Sequence, residues 1–128
     1  MGHIFQIRSL IFGAALATGL LITSVAQAHI SLLESIPAAN AVVATLEQID
    51  LVFNERLVTR ASRLELNILT NQETEEKFEH FDTEFINDGK TLRVNLHRPL
   101  ETGIYRVQWR VVGNDNHPMI GELSFSVE

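Results

Sequence analysis

Hydrophobic and polar residues alternate along most of the chain after residue 29. In segment 105–111, Tyr, Val, Trp and Val occupy every second position, with Arg and Gln between them. Such a period of two is typical of antiparallel strands that bury one face and expose the other. About seven strands are predicted in this way: residues 30–33, 49–53, 64–68, 77–81, 92–96, 105–111 and 123–127.

Turn-forming residues separate these segments. Examples are Asn87-Asp88-Gly89 and Asn114-Asp115-Asn116, which suit tight turns. No stretch has a sustained helical period, and residues 43–48 could hold one helical turn at most. Short strands at close spacing predict an all-β fold in which two sheets pack as a sandwich.

The first 28 residues have a different character. Arg8 is their only basic side chain other than histidine, they hold no Asp or Glu, and residues 10–25 are apolar or small. The run ends at Ala26-Gln27-Ala28, a small-x-small site typical of signal peptidase cleavage. The run is also shorter than the roughly 18 to 20 residues that a spanning helix needs. We therefore predict a signal peptide at residues 1–28, and an exported domain without a membrane span at residues 29–128.

Charge and cysteine content narrow the function further. All 16 acidic residues lie after residue 28, together with all but one of the 10 Lys and Arg. Such an acidic surface argues against nucleic acid or an anionic membrane as a partner. The chain has no Cys, which excludes disulfides, thiolate zinc sites, thiol nucleophiles and type-1 copper sites.

His29 would become the first residue after cleavage. It would then carry a free amine and an imidazole, and the amine nitrogen and Nδ1 can close a six-membered chelate ring on a metal ion. Two neutral nitrogens with a fixed bite favour the tetragonal field of Cu(II), which also heads the divalent affinity series.

Asp115 and His117 offer a carboxylate and an imidazole two residues apart. In an extended segment they would point the same way and could converge on one ion. Equally, Asp115-Asn116 could be a simple turn with His117 exposed, because D-x-H is a short and common pattern. His80 and His97 are more simply surface or hydrogen-bonded core residues.

The predicted exported domain resembles the CopC-type periplasmic copper-binding proteins of bacterial copper resistance and uptake. It begins with His29, followed by the segment ESIPAANAVV. The segment IDLVFNERL matches an apolar strand that ends in Phe-x-Glu in that family. The segment GIYRVQWRVVGNDNHPMIGELSFSV matches its Gly-x-Tyr-x-Val-x-Trp strand, Asp-x-His-Pro turn and final strand. The resemblance covers essentially all of residues 29–128.

The resemblance implies a seven-stranded, immunoglobulin-like Greek-key sandwich with one Cu(II) ion per mature chain. Its ligands would be the amine and imidazole of His29, with Asp115 and His117. Two departures stand out. Met119 is the only methionine after the leader, so no separate Cu(I) site is expected. Asn116 replaces the glycine that is frequent between the Asp and His, with little expected effect.

The function implied is a copper carrier or buffer in the periplasm, not an enzyme. It could deliver copper to an inner-membrane transporter of the CopD type. Two alternatives stay open. One is a copper oxygenase, since such enzymes also use an N-terminal His chelate, although they have larger domains with an aromatic binding face. The other is a metal-free interaction module, because sandwich folds serve many such roles.

Overall fold

The computed structural model describes residues 29–71 and 73–128, together with Gly19. The predicted signal peptide, residues 1–28, thus lies outside the described residues apart from that glycine. The described chain forms nine strands and one turn of 3-10 helix, without any α-helix. In chain order they are β1 (Leu32–Ile36), β2 (Val42–Val43), β3 (Gln48–Phe53), the 3-10 turn (Thr59–Ala61), β4 (Arg63–Leu69), β5 (Glu75–Phe78), β6 (Phe81–Ile86), β7 (Thr91–Leu96), β8 (Gly103–Val112) and β9 (Pro118–Val127).

The strands form two sheets. One has four strands in the order β1-β3-β7-β6, and the other has five in the order β2-β9-β8-β4-β5. All neighbours are antiparallel except β2 and β9. Because β3 pairs with β7 and β4 with β8, neighbours in a sheet are far apart in the chain, as Greek-key connections require. The prediction of an all-β sandwich is confirmed.

Inward-facing side chains of both sheets meet in one core. On β8, Tyr105 and Trp109 are only 2% and 8% exposed. Trp109 packs edge-on against Phe53 of the opposite sheet, with ring centroids 6.4 Å apart, and Phe125 stacks on Tyr105 at 5.6 Å. Both large aromatic residues of β8 therefore stabilise the core and do not form an exposed aromatic face.

The strand count is a correction to the sequence-based prediction, which gave seven. One added strand is β2, whose two residues pair with the end of β9. The other arises because the strand predicted at residues 77–81 is two strands, β5 and β6, in different sheets. Phe78 and Phe81 both face the core, yet residues three apart point to opposite faces of one strand. Both phenylalanines can face the core because the chain passes from one sheet to the other at Glu79 and His80.

Three distant parts of the sequence meet at one end of the sandwich. Leu32 near the start of β1 pairs with Phe53 at the end of β3. Val58, a few residues after β3, donates a backbone hydrogen bond to the carbonyl of Val112 at the end of β8, at 2.7 Å. The predicted new chain start, the segment after β3 and the β8–β9 turn are therefore neighbours.

Candidate metal site

Asn54 holds the segment that begins at His29. Its side-chain Nδ2 donates to the carbonyl of His29 at 3.1 Å, and its Oδ1 accepts from the Ser31 amide at 2.8 Å. The Asn54 amide also donates to the Ser31 carbonyl at 3.1 Å. These three hydrogen bonds fix residues 29–31 against the chain that leaves β3.

Ile30 brings this segment directly against the β8–β9 turn. Its side chain is 2% exposed. A Cβ placed on Gly113 would lie 2.5 Å from Ile30 Cδ1 and 2.8 Å from Cγ1, so only glycine allows this close approach. The residue after His29 is thus packed against the residue two positions before Asp115, a proximity that the sequence alone did not reveal.

The β8–β9 connection is a tight turn. The Asn116 amide donates to the Gly113 carbonyl at 3.1 Å, and the His117 amide donates to Asp115 Oδ1 at 3.1 Å. Asn116 has φ of 59°, a left-handed conformation that asparagine tolerates better than most residues. The segment is therefore not extended, and the argument that strand alternation aligns Asp115 with His117 is wrong. Instead, the two residues form an Asx-turn, in which the Asp115 carboxylate accepts a hydrogen bond from the His117 amide.

Glu55 is a further carboxylate near this turn, and sequence reasoning assigned it no role. Its Oε2 would lie 3.3 Å from a Cβ on Gly113, and it is half-buried. Glu55 and Asp115 line one cleft, and the remaining lining residues are Asn54, Arg56, Lys90 and Asn114. The sequence did contain a signal for this residue, because Glu55 is the glutamate of the Phe-x-Glu segment that begins with Phe53 at the end of β3.

The three predicted ligands lie at one end of the sandwich, but they do not form a finished site. His29, Asp115 and His117 are all exposed. Within residues 29–71 and 73–128, no three His, Asp or Glu side chains are arranged to hold a metal ion. In the full-length chain the His29 nitrogen is an amide bonded to residue 28, so one predicted donor exists only after cleavage.

His80 and His97 lie at the other end of the sheet. His97 directly follows β7. The amide of Leu96, the last residue of β7, donates to the carbonyl of Glu47, which directly precedes β3. His97 therefore lies near the start of β3, whereas the candidate site lies near its end. His97 Nε2 is 2.8 Å from Asp82 Oδ2, and the His80 ring packs edge-on against Phe78 at 5.6 Å. Neither histidine adjoins the turn at Asp115.

The comparisons with known proteins agree with this architecture. The profile of the CopC domain matches residues 32–128. Copper resistance protein C of Xanthomonas campestris pv. juglandis is 36% identical over 126 residues, which is 97% of this chain and 99% of that protein. Copper resistance protein C of Pseudomonas syringae pv. tomato is 34% identical over 119 residues, or 91% of this chain and 94% of that protein. The chain belongs to the CopC domain family, as its resemblance predicts.

Solved structures support the same assignment. PcoC, described as a methionine-rich copper resistance protein from Escherichia coli, superposes with a TM-score of 0.71 at 32% identity, covering 79% of this chain and all of that one. CopC from Methylosinus trichosporium OB3b superposes with a TM-score of 0.64 at 23% identity, covering 78% of this chain and 94% of that one. The latter shows the fold alone. In the described part of the chain, no helix is long and apolar enough to cross a membrane.

Proposed function

We propose that this protein binds copper in the periplasm and serves as a carrier or buffer in copper resistance or homeostasis. On this proposal a signal peptide, residues 1–28, is removed on export. Residues 29–128 then bind one Cu(II) ion through the amine and imidazole of His29, the Asp115 carboxylate and the His117 imidazole.

One observation carries the proposal, namely the contact between Ile30 and Gly113. Residue 30 is buried against the turn, so its predecessor His29 emerges beside Asp115. The Asn54 hydrogen bond to the His29 carbonyl fixes the direction in which residue 29 leaves the sandwich. On this proposal, rotation of the exposed side chains of His29, Asp115 and His117 would bring their donor atoms to one ion.

The donor set suits Cu(II). Imidazole and amine nitrogens in a fixed bite favour a tetragonal Cu(II) centre, and a carboxylate can complete it. Soft thiolate or thioether ligands select Cu(I), but the chain has no Cys, and Met119 is the only methionine after residue 1. Glu55 lines the same cleft as Asp115, and we include it as a further oxygen donor that can approach the ion.

The carrier role follows from the character of the site. It lies at the exposed end of a sandwich, where a bound ion can be passed to another protein. The aromatic residues Tyr105 and Trp109 are buried and cannot provide the binding face that a polysaccharide oxygenase would need. We propose release to an inner-membrane transporter of the CopD type and no catalysis.

The test is a Cu(II) titration of the processed protein, monitored by electron paramagnetic resonance. The matched control carries one extra glycine before His29, which leaves the imidazole in place but removes the terminal amine. We expect one ion per chain, and an affinity loss of several orders of magnitude in the control because the chelate is broken. Equal affinity in the two proteins would show that the amine is not a ligand and would refute the proposed site.

A further inference from the structure

Three outward-facing residues form a row across the five-stranded sheet. Arg63 on β4 pairs with Arg110 on β8, and Arg110 pairs with Ile120 on β9. Directly opposed residues of antiparallel strands have Cβ atoms about 5 Å apart on the same face. Both arginines are exposed and Ile120 is 78% exposed. We name Arg63, Arg110 and Ile120 the arginine row.

The two arginines are exceptional because the other cations on the sheet faces have partners. Arg106, four positions before Arg110 on the same face, bonds to Glu75. On the opposite sheet Arg93 donates to both carboxylate oxygens of Asp50, at 2.8 and 2.9 Å. Throughout the described ranges, neither arginine of the row forms an ion pair.

Such an arrangement is unfavourable in the free protein. Like charges directly opposite each other on a sheet repel, and acidic residues outnumber Lys and Arg in this chain by 16 to 10, so a partner carboxylate could easily have been present. Two adjacent guanidinium groups do, however, match carboxylates well, because each can donate two parallel hydrogen bonds. An exposed isoleucine at the end of the row adds an apolar contact.

The arginine row lines a groove next to the proposed copper site. The groove has a volume of about 290 Å³, and it is lined by Arg63, Glu65, Gln108, Trp109, Arg110 and Ile120. The last pair of the hairpin, Val112 with Pro118, is only two residues beyond Arg110. Two residues along a strand span about 7 Å. A molecule in the groove would therefore lie beside the turn that carries Asp115.

We propose that the arginine row binds an acidic segment of a partner protein, one in which a carboxylate side chain neighbours an apolar side chain. The carboxylate would lie between Arg63 and Arg110, and the apolar side chain would cover Ile120. The partner would thereby be held next to the copper-binding end. This surface does not depend on the copper ligands, and it is proposed for the metal-free protein as well.

Charge favours a peptide over a lipid surface as the occupant. The next row across the sheet contains Glu65 and Glu122 on either side of Gln108. A broad anionic membrane would face these carboxylates as well as the arginines, and the repulsion would oppose binding. A narrow peptide can place one carboxylate on the arginines and avoid the acidic row.

The experiment titrates the metal-free processed protein, labelled with nitrogen-15, with the peptide acetyl-Leu-Glu-Leu-Glu-Leu-amide. We expect amide shifts at residues 63–65, 108–110 and 119–121, and binding that weakens with added salt. The double variant Arg63→Gln/Arg110→Gln should bind about tenfold more weakly, as expected for two exposed ion pairs. Arg106→Gln removes the same charge from the same face, and it should stay within about twofold of the wild type.

Several results would overturn the proposal. One is the absence of a shift at the named amides at millimolar peptide. Another is that a peptide with Gln in place of Glu binds as tightly as the original peptide. A third is that Arg106→Gln weakens binding as much as the double variant does. Binding to phosphatidylglycerol vesicles that depends on both arginines, without peptide binding, would assign the surface to a membrane and also refute it. None of these results would alter the outcome of the copper titration.

Discussion

The side chain of Ile30 fills the space where a Cβ of Gly113 would be, since Cδ1 lies 2.5 Å from that position. The two residues are 83 positions apart in the chain, yet this contact aligns residues 29–31 with the β8–β9 turn. The proposed copper site is therefore built on a core contact, and changes to that contact should affect both stability and copper binding.

Gly113→Ala should destabilise the protein and weaken copper binding together. The new methyl group overlaps Ile30, and overpacking of this kind costs about 1–3 kcal/mol. Displacement of Ile30 would also move His29 away from Asp115. Urea unfolding and Cu(II) titration of the processed protein measure the two effects.

A double variant provides the control for this contact. Ile30→Ala alone loses buried apolar surface and should cost about 2–4 kcal/mol. In Ile30→Ala/Gly113→Ala the small side chain leaves room for the new methyl group, so the combined loss of stability should be smaller than the sum of the single losses. Strict additivity would show that the two residues do not compete for the same space.

Asn54→Ala should lower stability and weaken copper binding together. The substitution removes the side-chain hydrogen bonds to His29 and Ser31, at a cost of about 1–2 kcal/mol in the free energy of unfolding. The chain start would then be less restrained, and we expect copper affinity to fall severalfold. Asn114→Ala is a matched control, because Asn114 lines the same cleft and is exposed. Equal copper affinities of the two variants would contradict a role for Asn54 in holding His29.

Alternation predicted the fold well where each strand buries one face along its whole length. Residues 105–111 were predicted to alternate, and β8 has that pattern, with Tyr105 and Trp109 in the core. The pattern failed at residues 77–81. Phe78 and Phe81 are three positions apart and would face opposite sides of one strand, but both reach the core because the chain changes sheet between them. A local period cannot reveal such a crossover, since only the packing of distant strands determines it.

The candidate site was predictable only in part. The residue types at positions 29, 115 and 117 indicated metal-binding chemistry, and the family resemblance selected them together. The sequence could not show that Ile30 contacts Gly113, nor that Asn54 bonds to residues 29–31, because these contacts link segments that lie far apart in the chain. For Glu55 the sequence offered only the Phe-x-Glu segment of the family resemblance, and its position beside the turn follows from the fold.

Stability should fall at high pH through Tyr105. Burial raises the pKa of Tyr105, with a further rise from the nearby charge of Glu101. The folded state therefore retains the phenolic proton more tightly than the unfolded state does. Stability from this group is fully present below the ordinary tyrosine value of about 10, and it is lost as pH rises toward the raised value.

Unfolding in urea at pH 8 and at pH 10.5 measures this loss. Tyr105→Phe should lower stability by about 1 kcal/mol at pH 8, because the hydroxyl no longer donates to the Glu101 carbonyl, a bond of 2.7 Å in the wild type. The variant should also lose less stability between the two pH values. A wild-type and a variant with the same pH dependence would rule out Tyr105 as the source.

Substitutions of histidines at the two ends of the sandwich should show which end binds copper. His117→Ala should weaken Cu(II) binding and change the electron paramagnetic resonance spectrum, because one nitrogen donor is lost from the plane. Asp115→Ala should have a milder effect. His80→Ala and His97→Ala should leave the spectrum nearly unchanged, since neither residue adjoins the turn. A spectrum that changes with His80 or His97 but not with His117 would place the copper elsewhere.

Copper affinity should decrease as the pH falls, because protons compete with the metal for the imidazole and amine nitrogens. The proposed ligands determine the direction of this pH dependence, because both imidazoles and the amine must be deprotonated to bind. Each bound ion therefore displaces protons. Competition titrations of the processed protein between pH 5 and pH 8 measure the slope. His117→Ala should show a shallower slope, because one proton-binding ligand is missing. An affinity that did not change over this range would mean that the metal is held by groups other than these nitrogens.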